Sequence, residues 1–89
     1  MKSILTVIGS DKVGIIAGVC TKLAQNNINV LDINQTVMHG CFTMMMMIDY
    51  SASGLSFARV CDIMEEYGKS EGLTIRLQRE DIFSAMHRI

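Results

Sequence analysis

Backbone amides at a turn from a strand into a helix are the most distinctive chemical feature of this sequence. The segment from Gly9 to Gly14, GSDKVG, follows an apolar strand pattern and precedes a helical one. Free N–H groups at a helix start bind carboxylates and other anions. The alternative is that Asp11 caps the helix and the glycines allow the turn, and spacing alone does not decide between the two. The segment lacks the glycine-lysine-serine ending of a phosphate loop and the glycine spacing of a dinucleotide fingerprint.

Four consecutive methionines, Met44 to Met47, lie near His39 and Cys41, and thioethers are ligands of soft metals such as copper(I). Alternate residues of a strand point to opposite faces, so at most two of these thioethers share a side. Thioethers are also common fillers of cores and of adaptable interfaces. The sequence therefore predicts core or interface packing for the methionines and no metal site.

The sequence contains side chains that can act in catalysis, but it lacks the neighbouring residues that would activate them. The cysteines are isolated in apolar stretches, and no serine occupies a Gly-x-Ser-x-Gly turn. Acylphosphatases bind phosphate at a comparable loop through an arginine, and Lys12 would have to replace that arginine here. The ammonium group of lysine is a compact charge and does not form the paired hydrogen bonds of a guanidinium group. Glu65 and Glu66 are adjacent on a predicted helix and point in different directions. The sequence predicts a protein that is not an enzyme, with no catalytic residues and no cofactor.

Length and composition limit the remaining classes of function. A chain of 89 residues with a formal net charge of −1 predicts one small domain without attraction to nucleic acid. No apolar stretch is long enough to span a bilayer and no signal-peptide pattern is present, so a soluble protein is predicted. The isolated cysteines Cys20, Cys41 and Cys61 favour reduced thiols and a cytoplasmic location. A hydrophobic content of 49% exceeds what one small core needs, so some apolar surface is expected to face a partner.

The spacing of apolar residues predicts elements in the order strand, helix, strand, strand, helix, strand. Two-residue alternation indicates a strand, and recurrence at three or four residues indicates a helix. His39-Gly40 has the length of a tight hairpin turn in which the glycine takes a positive φ. The strands are predicted at 2–8, 29–38, 41–50 and 73–78, and the helices at 13–25, capped by Asp11, at 57–67, closed by Gly68 or Gly72, and at 81–89.

The order βαββαβ predicts an α+β fold of the ferredoxin-like type over the single domain 1–89. Right-handed crossovers give one four-stranded antiparallel sheet in the order 4-1-3-2, with two helices on one face. The first and third strands are apolar on both sides, which fits central positions in the sheet. The face without helices needs another cover, which could be a second copy of the chain, the helix at 81–89, or both. A homodimer is therefore predicted.

Two motifs together resemble those of the ACT domain family. They are Gly-Ser-Asp-Lys-Val-Gly-Ile-Ile-Ala-Gly-Val at residues 9–19 and Asn-Asn-Ile-Asn-Val-Leu-Asp-Ile at residues 26–33. The resemblance covers essentially the whole chain. The chain is similar in particular to the small stand-alone members of the family that are related to the glycine-cleavage regulators. It implies a regulatory homodimer that binds an amino acid or a similar small molecule at the interface of two chains.

The same resemblance implies a set of ligand-binding residues. Asp11 would meet a ligand amine, the backbone of Gly14 and Ile15 would meet its carboxylate, and Asn29 would reach the ligand across the interface. The full implied set is Gly9, Asp11, Lys12, Val13, Gly14, Ile15 and Asn29. Val13 stands where many ligand-binding members have proline, and Gly9 stands where some have histidine. These departures keep open a second hypothesis, an interaction module that binds another protein and takes no small ligand. Under either hypothesis regulation passes through a separate, unidentified protein.

Overall fold

The computed structural model describes residues 2–10 and 13–79. Its elements follow the predicted order βαββαβ. They are β1 (Lys2–Ser10), α1 (Ile15–Gln25), β2 (Asn29–Met38), β3 (Cys41–Asp49), a 3-10 turn (Ser51–Ser53), α2 (Phe57–Glu71) and β4 (Thr74–Arg79). Asp11, Lys12 and the helix predicted at 81–89 lie outside the described residues.

The strands form one antiparallel sheet in the order β2-β3-β1-β4 within the described chain. This is the predicted order counted from the opposite edge, so the ferredoxin-like fold is confirmed. β1 pairs with β3 along its whole length, from Lys2 opposite Asp49 to Ser10 opposite Cys41, and with β4 on its other side. The two strands that are apolar on both sides therefore occupy the centre of the sheet, as predicted.

The core lies between the sheet and the two helices. Met44, Met46 and Ile48 are fully buried on the helix side of β3, whereas Met45 between them is exposed on the other side. This alternation follows from the two-residue period of a strand. The core cluster consists of Leu5, Val7, Ile15, Val19, Leu23, Ile28, Phe42, Met44, Met46, Ile48, Tyr50, Val60, Met64, Leu73 and Ile75.

Local backbone chemistry sets the ends of α2 and the β2–β3 turn. The hydroxyl of Ser56 accepts a hydrogen bond from the backbone N–H of Arg59 at the helix start. Gly72 ends the helix at a φ of 72°, so it is the closing glycine of the two that the sequence offered. His39 and Gly40 both have positive φ, at 53° and 76°, as a two-residue type I′ turn requires. The positive φ predicted for the glycine of this turn is confirmed.

Three strands have boundaries that differ from the predictions by one or two residues. β1 continues to Ser10 because its pairing with β3 continues to the hairpin turn. β3 ends at Asp49, one residue early, because the backbone from Tyr50 onward enters the 3-10 turn. β4 runs one residue later at each end than predicted, from Thr74 to Arg79.

Ser3 is a buried polar residue whose hydroxyl has no hydrogen-bond partner in the described part of the chain. A buried unpaired polar group costs about 1–3 kcal/mol of stability. We expect Ser3→Ala to raise the free energy of unfolding by up to about 1 kcal/mol in urea denaturation.

The matched control for this substitution is Ser53→Ala. The Ser53 hydroxyl donates to the Tyr50 carbonyl oxygen at 2.6 Å and accepts from the Leu55 N–H at 3.1 Å. Its removal is expected to lower the free energy of unfolding by about 1 kcal/mol. A loss of stability in both variants would contradict the assignment of Ser3 as unpaired.

Candidate functional site

The connection between β1 and α1 presents backbone donors. Gly14 precedes the helix with a φ of 89°, in the left-handed region that favours glycine. A Cβ at Gly14 would meet no described atom within 4 Å. The positive φ, and not a lack of space for a side chain, therefore accounts for glycine at this position. The Gly18 N–H donates to the Gly14 carbonyl at 2.8 Å, which closes the first turn. The N–H groups of residues 15–17 precede that bond and lack intrahelical acceptors.

The predicted cap of α1 by Asp11 is wrong. The N-cap position is Gly14, and in the described chain no side chain bonds to the first turn. The helix therefore begins at Ile15, two residues later than predicted, because Val13 and Gly14 form a turn of their own. Within residues 2–10 and 13–79, no side chain occupies the first-turn N–H groups, and such groups together with the positive end of a helix dipole bind anions.

An open groove of about 320 Å³ lies beside this helix start. Its volume is at the lower end of the range for small-molecule sites. Val37 of β2 pairs with Phe42 of β3, which pairs in turn with Gly9 at the end of β1. This register holds the strand ends next to the first turn of α1. The groove is lined by Gly14, Ile15, Ile16, Ala17, Gln35, Val37 and Phe42.

The lining of the groove suits binding more than acid–base chemistry. No ionisable side chain is among the described residues that line it. Backbone N–H groups supply donors at one side, Gln35 supplies an amide that both donates and accepts, and Ile16, Val37 and Phe42 supply apolar surface. A small molecule with a carboxylate at one end and an apolar part at the other matches this arrangement.

The residues implied by the sequence resemblance lie in different parts of the structure. Gly14 and Ile15 line the groove, and the Ile15 side chain is buried in the core, which leaves its backbone facing outward. Val13 is fully exposed beside them. Gly9 lies in β1, where an added Cβ would approach Leu73 Cδ2 to 2.6 Å, so close packing explains its small size.

Asn29 does not reach the groove of its own chain. It opens β2 opposite Asp49, whereas Val37 lies opposite Phe42 at the other end of the same strand pair. Eight residues of strand separate these positions, or about 26 Å at 3.3 Å per residue. Asn29 can therefore serve this groove only from a second copy of the chain.

Five lining residues were not predicted from the sequence. Ile16 and Ala17 belong to the first turn of α1, and Gln35, Val37 and Phe42 belong to the β2–β3 hairpin. The signal for the three hairpin residues was the two-residue turn at 39–40, which fixes the register of the hairpin. That register places Val37 opposite Phe42, and the central position of the first strand then brings both beside the predicted loop.

β2 is an edge strand with an unusual amount of exposed apolar surface. In the described chain no strand pairs with its outer side. Every residue of β2 except Val30 is exposed. The exposed apolar side chains on it are Leu31, Ile33, Val37 and Met38. A long edge of this kind is a template for pairing with another strand.

The thiols and thioethers do not converge on a site in the described chain. No group of three or more His, Cys, Asp or Glu side chains that could hold a metal ion occurs in residues 2–10 and 13–79. Met44 and Met46 are in the core, as the alternation predicted. Burial raises the pKa of the Cys61 thiol, and the negative charges of Glu65 and Asp62 raise it further, so the reactive thiolate is disfavoured. No helix within residues 2–10 and 13–79 is long and apolar enough to cross a membrane.

Comparison with known proteins identifies the family. The model of the ACT domain matches residues 3–78. The chain belongs to the ACT domain family. ACT domains are regulatory modules that bind small molecules, amino acids among them.

Two of the proteins similar to this ACT protein also match it in length. It is 52% identical to a UPF0237 protein of Bifidobacterium longum over 99% of this chain and 98% of the relative. A solved ACT domain protein from Streptococcus pneumoniae superimposes with a TM-score of 0.83 at 40% identity, covering 93% of each chain. A candidate transcriptional repressor of the glycine cleavage system gives a TM-score of 0.76 at 25% identity over 86% of this chain and 44% of that one. The predicted resemblance to small ACT proteins of this kind is confirmed.

Proposed function

We propose that this ACT protein is a non-catalytic ligand sensor that binds an amino acid in the groove at the start of α1 and acts as a homodimer. The observation that carries the proposal is the groove with an apolar wall at the start of α1, where no side chain among the described residues caps the N–H groups of residues 15–17. The ligand carboxylate binds these N–H groups, because they combine free donors with the positive end of the helix dipole. The ligand side chain packs against Ile16, Val37 and Phe42.

The dimer forms through β2. Antiparallel pairing of β2 with the β2 of a second copy about a two-fold axis places the start of one strand beside the end of the other. Asn29 of the second copy then lies near Val37 of the first, at the mouth of the groove. This pairing covers the exposed apolar side chains of the edge and completes two equivalent sites.

Gln35 gives the sharpest test of the groove. We expect Gln35→Ala to weaken amino acid binding about tenfold, because a hydrogen bond to a charged group contributes about 1.5–3 kcal/mol. The measurement is a thermal-shift screen of the amino acids, followed by calorimetric titration of the hit. One-site linkage predicts about 2.7 kcal/mol of stabilisation at a ligand concentration 100 times the dissociation constant.

The matched control is Thr36→Ala, which alters the next residue of the same strand. Thr36 pairs with Thr43 on the face without helices, whereas Gln35 pairs with Met44 on the helix face. Binding by Thr36→Ala is expected to equal that of the wild type. Equal losses in the two variants, or unchanged binding in Gln35→Ala, would place the ligand elsewhere. Asp11→Ala tests the proposed contact to the ligand amine and is expected to weaken binding while the dimer persists.

A second candidate function is supported by the exposed apolar edge of β2. Leu31, Ile33 and Met38 could serve a different protein as readily as a second copy of this chain. In that case the protein is a partner-binding regulatory module without a small ligand. Indifference to every amino acid in the screen, together with a stable complex between the purified chain and one regulated protein, would favour it.

A further inference from the structure

β4 forms the second edge of the sheet. It pairs with β1 from Thr74 opposite Ile8 to Arg79 opposite Ser3, and in the described part of the chain no strand pairs with its outer side. Alternate residues of a strand direct their N–H and C=O groups to the same side, so half of the six residues of β4 present both groups outward. Unpaired groups of this kind are a template for an added strand. We call this outer side the β4 edge.

An open depression of about 270 Å³ lies along the β4 edge, between α2 and β4. Leu73 and Ile75 contribute to its lining and are only 7% and 4% exposed, so the base of the depression is apolar. The exposed residues that complete the lining are Glu65, Lys69, Thr74 and Arg76. An apolar side chain of an added strand that points to the helix face would lie in this depression.

The charged side chains at the β4 edge are mostly cationic. Arg76 and Arg79 are exposed on β4, and Lys69 is exposed at the depression, where Glu65 is the one carboxylate among the described lining residues. The Arg79 guanidinium lies 5.3 Å from the centre of the Phe57 ring on the helix face. Arg76 points to the face without helices, because side chains alternate along a strand. A carboxylate opposite Arg76 on an added strand would form a favourable cross-strand pair.

The same charges disfavour a second copy of the chain at this edge. An antiparallel pair of two β4 strands would bring two Arg76 side chains close together, and like charges opposite each other destabilise a sheet. β2 differs, because Asp32 is its one charged residue and Leu31 and Ile33 expose apolar surface. The two edges therefore suit different occupants, a second copy at β2 and an acidic strand at β4.

We propose that the β4 edge binds an extended acidic segment of another protein as an added strand. A Glu or Asp of that segment lies opposite Arg76, and the apolar residue next to it occupies the depression over Leu73 and Ile75. Backbone hydrogen bonds to β4 provide affinity, whereas Arg76 and the depression select the sequence. This inference goes beyond the proposed sensor function, because it gives the chemistry of the regulated protein and uses neither the groove at α1 nor the β2 edge.

Peptide binding to the full-length protein tests the proposal. The probe is a fluorescently labelled short peptide with the central sequence Val-Glu-Val-Glu-Val, and the comparison peptide has lysine in place of each glutamate. Fluorescence anisotropy is expected to show about tenfold tighter binding of the glutamate peptide, because opposite charges attract and like charges repel across a strand pair. Hydrogen exchange by NMR is expected to slow at the outward amides of β4 on addition of the glutamate peptide and to stay unchanged at those of β2.

Charge reversal at Arg76 gives a matched pair of variants. Arg76→Glu is expected to weaken binding of the glutamate peptide about tenfold and to strengthen binding of the lysine peptide. The control is Arg59→Glu, which changes the net charge equally at an exposed position where α2 faces Lys22 and Asn26 of α1. The control is expected to keep the preference of the wild type. Equal effects of the two substitutions would overturn the proposal, since they would show attraction to overall charge.

The outcome is separable from that of the proposed amino acid site. Gln35→Ala, which is expected to weaken amino acid binding, should bind the glutamate peptide as the wild type does. Failure of the glutamate peptide to bind a protein that still binds its amino acid would overturn this inference alone. Slow exchange of the outward β4 amides in the protein without peptide would also overturn it, because the edge would then be paired already.

Discussion

Replacing Ile33 with lysine is expected to convert the proposed dimer into a folded monomer. Ile33 lies in the middle of β2, opposite Met46 of β3, and is exposed along the free edge of the sheet. A two-fold axis through the middle of β2 brings the two copies of residue 33 close together. Two lysines at this place repel each other, and charged side chains are a common means of blocking an edge strand. Sedimentation equilibrium is expected to give the mass of one 9.9-kDa chain.

The control places the same charge on the other edge of the sheet. Thr74 opens β4 and is exposed, so Thr74→Lys is expected to leave the dimer intact. The Ile33→Lys variant should also lose ligand affinity, because Asn29 of the second copy no longer completes the groove. A dimer that persists in Ile33→Lys, with a far-UV spectrum like that of the wild type, would exclude β2 as the interface.

Ligand binding and dimerisation are coupled under this proposal because they use the same strand. Gln35 and Val37 line the groove, and they lie within the edge that pairs with the second copy. A ligand that binds the dimer better than the monomer shifts the population toward the dimer by the ratio of its two affinities. Regulation of a separate protein then requires that protein to distinguish the two assemblies.

The fold could be predicted because its determinants are short-range. Alternation in the strands, helical recurrence in 13–25 and 57–67 and the turn at 39–40 each specify an element from neighbouring residues. The two-sided apolar pattern of the first and third strands then selected the sheet order that the structure has. The start of α1 was wrong because Asp11 is an ordinary capping residue, and the turn formed by Val13 and Gly14 leaves no signal in apolar spacing.

The candidate site could be predicted only in part because its residues are distant in sequence. The loop residues Gly14 and Ile15 were predicted from a local pattern, and they line the groove. Gln35 and Val37 meet them only through the sheet register, which depends on β1 lying between β3 and β4. Asn29 lies at the far end of β2 from the groove. Its proposed contact with the ligand requires a second copy of the chain, and the sequence of one chain does not give the arrangement of two copies.

The backbones of α2 and β4 are in direct contact at Gly68. A Cβ at this position would lie 2.8 Å from the Leu73 carbonyl oxygen and 3.1 Å from Ile75 Cγ1. The Gly68 carbonyl accepts the Leu73 N–H at 2.8 Å and also the N–H of Gly72 at the helix end. The oxygen that a methyl would strike belongs to this hydrogen-bonded connection, so it cannot move aside as a flexible side chain would.

The sign of the effect of Gly68→Ala on stability therefore distinguishes two physical causes. Helix propensity alone would make alanine about 1 kcal/mol more stable than glycine inside a helix. Overpacking of a well-packed site costs about 1–3 kcal/mol, and strain on the two hydrogen bonds adds to it. We expect a net loss of about 2 kcal/mol, or a Tm lower by on the order of 10 °C in calorimetry. Ser70→Ala on the exposed side of the same helix is expected to change stability by less than about 0.5 kcal/mol. A Gly68→Ala protein as stable as the wild type would mean that α2 and β4 can separate at this contact.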